Sequence, residues 1–82
     1  MTVLDTSGPG APPRRNGELA FDEPWHARAF GLCVAVLARE GLAWDAFRRH
    51  LVPAIEADPE GDYYDAFAVA LDAFLAERGL IR

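Results

Sequence analysis

The sequence predicts an all-α fold, a small three-helix domain preceded by a flexible N-terminal arm. Residues 1–20 are rich in Gly, Pro and small polar residues and show no periodicity, which is typical of a flexible segment. Residues 21–82 contain three stretches with apolar residues at helical spacing, separated by turn signals. No stretch shows a strand pattern, and 82 residues suffice for one domain. We therefore predict an arm over 1–20 and one helical domain over 21–82.

The first predicted helix has start and stop signals at both ends. Asp22 or Glu23 can cap it, and Pro24 suits the first helical turn. The helix should run to about Glu40 and stop at Gly41. Its central run, AFGLCVAVLA over 29–38, is apolar nearly all round. Since two short companion helices cannot enclose such a helix, we infer that part of it packs on another chain.

The second and third predicted helices follow two loops. The second should begin near Trp44 and end near Ala57, with Pro53 kinking or splitting it because proline lacks an N–H and its ring clashes with the preceding turn. The third follows the loop signal ADPEG, with Asp62 as its cap and Gly79 just past its end.

Composition excludes several classes of function. The net charge is −5, and the eight arginines form no basic stripe, so we expect no nucleic-acid binding. The single cysteine can form neither an internal disulfide nor a metal cage, which fits a reducing compartment. The first residues contain no apolar signal-peptide core, and no apolar run is long enough to span a bilayer. We therefore expect a cytoplasmic protein that does not bind membranes.

Few residues suggest chemistry of their own. Cys33 lies on an apolar helical face and is expected to act as a small buried hydrophobe. His26 and His50 have no neighbours at metal-ligand spacing and are expected at the surface. An acidic cluster follows the second helix and reads as a solvated loop with a helix cap, since it lacks the ligand spacing of a calcium loop: Asp58, Glu60, Asp62 and Asp65. Without a nucleophile–base pair, a phosphate-binding glycine loop or a metal cluster, independent catalysis is not expected.

Arg48 is the most informative single residue. Trp44, Phe47 and Leu51 form an apolar stripe on the second helix, and Arg48 falls within it, whereas Asp45 points away. Arg48 can lay its methylenes on the stripe and extend its guanidinium to water or a surface acid. Alternatively, it can hold a planar fork at an interface and donate to an anionic group on another chain. The two interpretations remain open, as they do for the Tyr63 hydroxyl, which is either packed in the core or presented to a partner.

Four motifs, in order, carry a resemblance to a known family. They are NGELAFDEPW over 16–25, ARAFGLCVAVL over 27–37, GLAWDAFR over 41–48, and YY at 63–64. Together they resemble the nitrile hydratase accessory (activator) proteins, a family related to the N-terminal helical part of the nitrile hydratase β subunit. The resemblance covers about Arg14 to Leu80 and implies a helical protein without activity of its own. It also implies binding to a nitrile hydratase-type α subunit and help with metal insertion and cysteine oxidation there.

The same resemblance implies roles for individual residues. In related β subunits the arginine of a D-x-F-R pattern donates hydrogen bonds to the oxidised cysteines of the α subunit. This arginine corresponds to Arg48. In the same β subunits the first tyrosine of the YY pair lines the substrate pocket, and this tyrosine corresponds to Tyr63. Phe67 occupies a position at which tryptophan is usual. The expected partner-contacting residues are Trp25, Phe30, Trp44, Phe47, Arg48, Tyr63, Tyr64, Phe67 and Phe74.

Three functions remain in view at this point. The first is an accessory protein for maturation of the α subunit in a hetero-oligomer. The second is a small structural subunit equivalent to the front half of a split β subunit, since the chain lacks the β subunit's C-terminal barrel. The third is a generic three-helix adaptor. The resemblance places cobalt or iron in the α subunit, on its Cys-x-x-Cys-Ser-Cys motif, which this chain lacks, so no metal or other cofactor is expected on this chain.

Overall fold

The computed structural model of the protein describes residues 5–81. A short hairpin precedes three helices, and the elements are β1 (Arg14–Arg15), β2 (Glu18–Leu19), α1 (Pro24–Glu40), α2 (Asp45–Ala57) and α3 (Tyr63–Glu77). The predicted all-α class with three helices is confirmed. Residues 1–4 of the predicted arm lie outside the described residues. Among residues 5–81, no helix is long and apolar enough to cross a membrane.

Helix α1 begins and ends at the residues that the sequence predicts. Glu23 is the N-cap residue, and its backbone N–H donates to Nδ1 of His26 at 3.3 Å. Gly41 adopts a φ of +68°, which L side chains rarely take, and the N–H of Leu42 then donates to the carbonyl of Leu37 at 2.8 Å. These contacts satisfy backbone groups that a helix end otherwise leaves without a partner.

Helix α2 runs unbroken through Pro53. Of the two predicted outcomes, a kink or a split, the helix is therefore not split. The N–H that proline lacks would have bonded the carbonyl of Arg49, and both residues are exposed, so water can replace that bond. The helix begins one residue later than predicted, with Trp44 at the N-cap position and no side chain capping it.

Helix α3 is capped as predicted. An oxygen of Asp62 accepts from the N–H of Tyr64 at 2.8 Å. At the other end, Gly79 has a φ of +73°, and the N–H of Leu80 donates to the carbonyl of Leu75 at 2.9 Å. Helix α2 packs mainly on α3, and α1 lies against both.

An aromatic core lies where the three helices meet. Phe67 of α3 has no exposed surface and lies at its centre, with ring centroids of Phe47 at 4.8 Å and Tyr64 at 5.4 Å. The other buried apolar residues are Cys33, Val36, Leu37, Trp44, Leu51, Ala70, Leu71 and Phe74. The apolar face of α3 that carries Phe67 and Phe74 thus packs inside the domain.

One side of α1 remains exposed. Leu32 is 48% exposed, and its small neighbours Gly31, Ala35 and Ala38 are exposed too. The helix that is apolar nearly all round therefore buries only part of its surface in this chain. Its packing on a second chain stays a prediction.

The segment predicted as an arm contains a hairpin that the sequence analysis missed. Arg14 pairs with Leu19 and Arg15 with Glu18, with Asn16 and Gly17 in the turn. Both turn residues have positive φ, +53° and +81°, as expected for a two-residue Asn-Gly turn. Strands of two residues are too short to show alternation, but the Asn-Gly pair was a readable signal.

Candidate partner-binding site

Arg48 lies on α2 with its guanidinium near the protein surface. The side chain is 25% exposed. Nη1 donates to the carbonyl of Ser7 at 3.0 Å, and Nη2 forms an ion pair with Asp45. Asp45 points away from the apolar stripe, as predicted, and its side chain is 74% exposed; the long Arg48 side chain reaches back along the helix to pair with it, three positions earlier. The guanidinium is therefore held between its own helix and the N-terminal segment.

Tyr63 presents its hydroxyl to the same N-terminal segment. The ring is half-buried at the start of α3, and its hydroxyl donates to the carbonyl of Gly10 at 2.7 Å. Burial, together with the neighbouring Tyr64 and Cys33, raises the pKa of Tyr63 well above its ordinary value. The phenol is thus a neutral hydrogen-bond donor at physiological pH. Its ring packs on Tyr64 and Phe67, with centroids at 5.0 and 6.1 Å, as the core-packing interpretation predicts, whereas presentation of its hydroxyl to a partner stays a prediction.

Two glycines bring the N-terminal backbone close to α2. Gly8 has a φ of +93°, and a Cβ there would lie 2.8 Å from Nη1 of Arg48. Gly10 has a φ of +80°, and a Cβ there would lie 3.3 Å from Cδ2 of Leu51. Larger residues would be strained and crowded at both positions. From the sequence alone, these glycines indicated only a flexible arm.

Carboxylates of the same chain balance the Arg48 charge. Asp45 pairs with it directly. Asp5 accepts from the hydroxyl and the N–H of Ser7, at 2.6 and 3.0 Å, and these hydrogen bonds hold the pKa of Asp5 below its ordinary value. Burial opposes that shift slightly, and the charge of Arg48 adds to it. An anionic group from another chain would therefore have to compete with Asp45 for the guanidinium.

Most of the aromatic residues expected to contact a partner lie in the core. Five of them are at most 3% exposed: Trp44, Phe47, Tyr64, Phe67 and Phe74. Trp25 and Phe30 of α1 are half-buried at the edge of the core. Phe67 therefore does not form the wall of an open pocket in this chain. A partner could touch the five buried rings only if the helices separated, and their partner-binding role stays a prediction.

The histidines and the cysteine occupy different environments from one another. His26 is 4% exposed, so its predicted surface position is wrong; the start of α1 packs on α3, and its ring stacks on Tyr64 with a centroid distance of 4.4 Å. His50 is only 18% exposed between α2 and α3, with Nε2 3.4 Å from a carboxylate oxygen of Glu77. Cys33 is fully buried, as predicted, and burial raises its thiol pKa to about 12.

The acidic cluster after α2 is exposed, and its member Asp62 serves as the cap of α3. Within the described range, no group of three or more His, Cys, Asp or Glu side chains is placed to hold a metal ion. The candidate binding features of the described surface are therefore Arg48, Tyr63, the N-terminal backbone that both contact, and the exposed side of α1.

Comparison with known proteins assigns the chain to a family. The sequence model described as "Nitrile hydratase beta subunit, N-terminal" matches residues 5–82. A search of curated proteins and a search of solved structures each found no match. The relation to the β-subunit N-terminal region that the four motifs suggested is therefore confirmed. Because the match covers nearly the whole chain, the protein belongs to the family of nitrile hydratase β-subunit N-terminal domains.

Proposed function

We propose that this chain is a non-catalytic partner of a nitrile hydratase-type α subunit and assists the assembly of that subunit's metal site. The family match over residues 5–82 is the observation that carries the proposal. The four motifs point to the accessory branch of this relationship in particular, with cobalt or iron expected in the α subunit. The chain's own residues would bind and orient, and they would hold no metal themselves.

Arg48 is the proposed donor to the partner. Its planar guanidinium can donate two parallel hydrogen bonds to an anionic group, such as the oxidised cysteines implied by the resemblance. Such charge-assisted bonds are strongest where water is excluded. Arg48 is available for this role because its present partners are an exposed carboxylate, Asp45, and one backbone carbonyl, that of Ser7.

Tyr63 is the proposed second donor. Its phenol is neutral, and its hydroxyl already bonds a carbonyl at 2.7 Å, so it can donate equally to an oxygen of a partner or substrate. Helix α1 is the proposed apolar contact, through Leu32 and the small residues beside it, which would let another helix approach closely.

A second candidate is a small structural subunit that stays in an active enzyme. The family match supports this role as well as it supports the first. In that case Arg48 and Tyr63 would shape the α subunit's active site permanently. The accessory protein and the structural subunit differ in whether the chain leaves once the α subunit is mature.

Co-expression with a nitrile hydratase α subunit tests the proposal. The chain should co-purify with the α subunit on an affinity tag and elute with it on size exclusion. An accessory protein should be lost when the α subunit has acquired its metal, whereas a structural subunit should stay at a fixed ratio in the active enzyme. If the chain binds neither the metal-free nor the metal-loaded α subunit, both proposals fail and the generic adaptor is favoured.

A further inference from the structure

We propose that residues 5–12 form an intramolecular strap that masks Arg48 and Tyr63 and must leave before a partner can reach them. The identity of that partner rests on the function proposed above. The masking itself depends only on contacts within this chain.

The strap occupies both proposed donors at once. The carbonyl of Ser7 accepts from Arg48 at 3.0 Å, and the carbonyl of Gly10 accepts from Tyr63 at 2.7 Å. These donors come from different helices, α2 and α3, so one short segment bridges them. A partner group that takes the N–H of Arg48 Nη1 and the hydroxyl of Tyr63 would compete directly with these two carbonyls.

The strap packs closely on the surface formed by α2 and α3. Thr6 and Pro12 are buried near its two ends, and Arg14 lies with Nη2 3.5 Å from the hydroxyl oxygen of Thr6. Between them, Gly8 and Gly10 take the positive φ values that bring the backbone against Arg48 and Leu51. The N–H of Ala11 closes the turn by donating to the carbonyl of Gly8 at 3.0 Å.

The strap nevertheless has few buried contacts, so a partner can displace it. Apart from Thr6 and Pro12, residues 5–12 are exposed or half-exposed, and segments with few buried contacts open at low free-energy cost. The carbonyls of Ser7 and Gly10 are neutral acceptors, whereas an anionic oxygen adds a Coulomb attraction to the Arg48 cation and makes a stronger hydrogen bond with the neutral Tyr63 phenol. An anionic group on a partner can therefore replace the carbonyl of Ser7 at Arg48. Until then the strap lowers the partner's apparent affinity in proportion to the fraction of closed chains.

Chemical modification tests the masking without any partner. Phenylglyoxal reacts with accessible guanidinium groups, and Arg49, with a side chain 63% exposed, is the internal reference for Arg48. The full-length variant Gly8→Val/Gly10→Val disrupts both close approaches of the strap. Gly17→Val is the matched control, because Gly17 also has a positive φ, +81°, but its Cβ would meet nothing within 4 Å.

In the wild type and the control, Arg48 should react several-fold more slowly than Arg49, as measured by peptide mass spectrometry. In the double variant the Arg48 rate should approach that of Arg49. Tyr63→Phe removes the bond to Gly10 without touching a glycine and should raise the Arg48 rate several-fold. An Arg48 to Arg49 ratio that is unchanged in both variants overturns the strap.

Binding to the α subunit then tests whether the strap competes with the partner. The double variant should bind about fivefold more tightly than the wild type and the control, the change expected when about one net hydrogen bond no longer has to be broken. Equal affinities with Arg48 unmasked would overturn the competition while leaving the proposed function intact. Failure of all three proteins to bind would contradict the proposed function, and the modification ratio alone would then decide whether the strap exists.

Discussion

Replacement of Arg48 by alanine should weaken binding to the α subunit while leaving the chain folded. Within residues 5–81, the guanidinium makes two polar contacts, with the carbonyl of Ser7 and with Asp45. Neither lies in the aromatic core, so Arg48→Ala should remain folded. Its affinity for the α subunit should nevertheless fall sharply, because the proposed role of the fork is to donate to that partner.

The magnitudes follow from the surroundings of each contact. The carboxylate of Asp45 is 74% exposed, so the ion pair contributes about 0.5 kcal/mol or less. The bond to the Ser7 carbonyl contributes about 1 kcal/mol. The free energy of unfolding should therefore fall by about 1–1.5 kcal/mol, a drop in Tm of roughly 5–10 °C for a domain of this size. Loss of a charge-assisted interaction at the interface should weaken binding by about 10- to 100-fold.

Calorimetric titration of the α subunit and thermal unfolding by circular dichroism measure the two effects. Arg48→Lys should recover much of the stability but little of the binding, since an ammonium cannot donate as a planar fork. Arg49→Ala is the control: it removes a neighbouring exposed charge paired with Glu77 and should leave binding unchanged. If Arg48→Ala binds as tightly as the wild type, Arg48 is merely a surface arginine whose methylenes cover the apolar stripe.

Three further predictions concern the isolated domain and are checked by unfolding and labelling experiments. Phe67→Ala should lower the free energy of unfolding by about 3–5 kcal/mol, because Phe67 is fully buried; Val69→Ala on the same helix, 65% exposed, should change it by less than about 0.5 kcal/mol, and equal effects would contradict the assigned core. Asp62→Ala removes the cap of α3 and should cost about 1 kcal/mol in denaturant unfolding; no loss would show that the cap bond to Tyr64 contributes nothing. Cys33, with a pKa raised to about 12 by burial, should resist Ellman's reagent at pH 8 and react on addition of denaturant, whereas rapid labelling of the folded protein would refute its burial.

The helices were predictable because their ends depend on local chemistry. Pro24, Gly41, Asp62 and Gly79 act through backbone geometry and hydrogen bonds within a few residues, and each has the role that its residue type predicts. The helical spacing of apolar residues likewise identified the three helical stretches. Features that depend on residues within about one helical turn could thus be predicted from the sequence.

The remaining features depend on contacts between distant parts of the chain. His26 is polar and lies in a first helical turn, and only the packing of α1 on α3 buries its ring against Tyr64. A surface acid was among the predicted partners of Arg48, and Asp45 is one, but which acid it pairs with could not be predicted, since a flexible side chain can reach several nearby acceptors. Every residue of any sequence has a backbone carbonyl. No sequence pattern could therefore identify the carbonyls of Ser7 and Gly10 as the acceptors.

The metal content of the α subunit tests the central claim most directly. The α subunit is expressed with and without this chain in medium containing cobalt and iron, purified in the same way, and measured by mass spectrometry of the metals. The account predicts that co-expression with this chain raises the metal bound per α subunit and that co-expression with Arg48→Ala raises it less. Equal metal content with and without the chain would contradict a role in assembling that site.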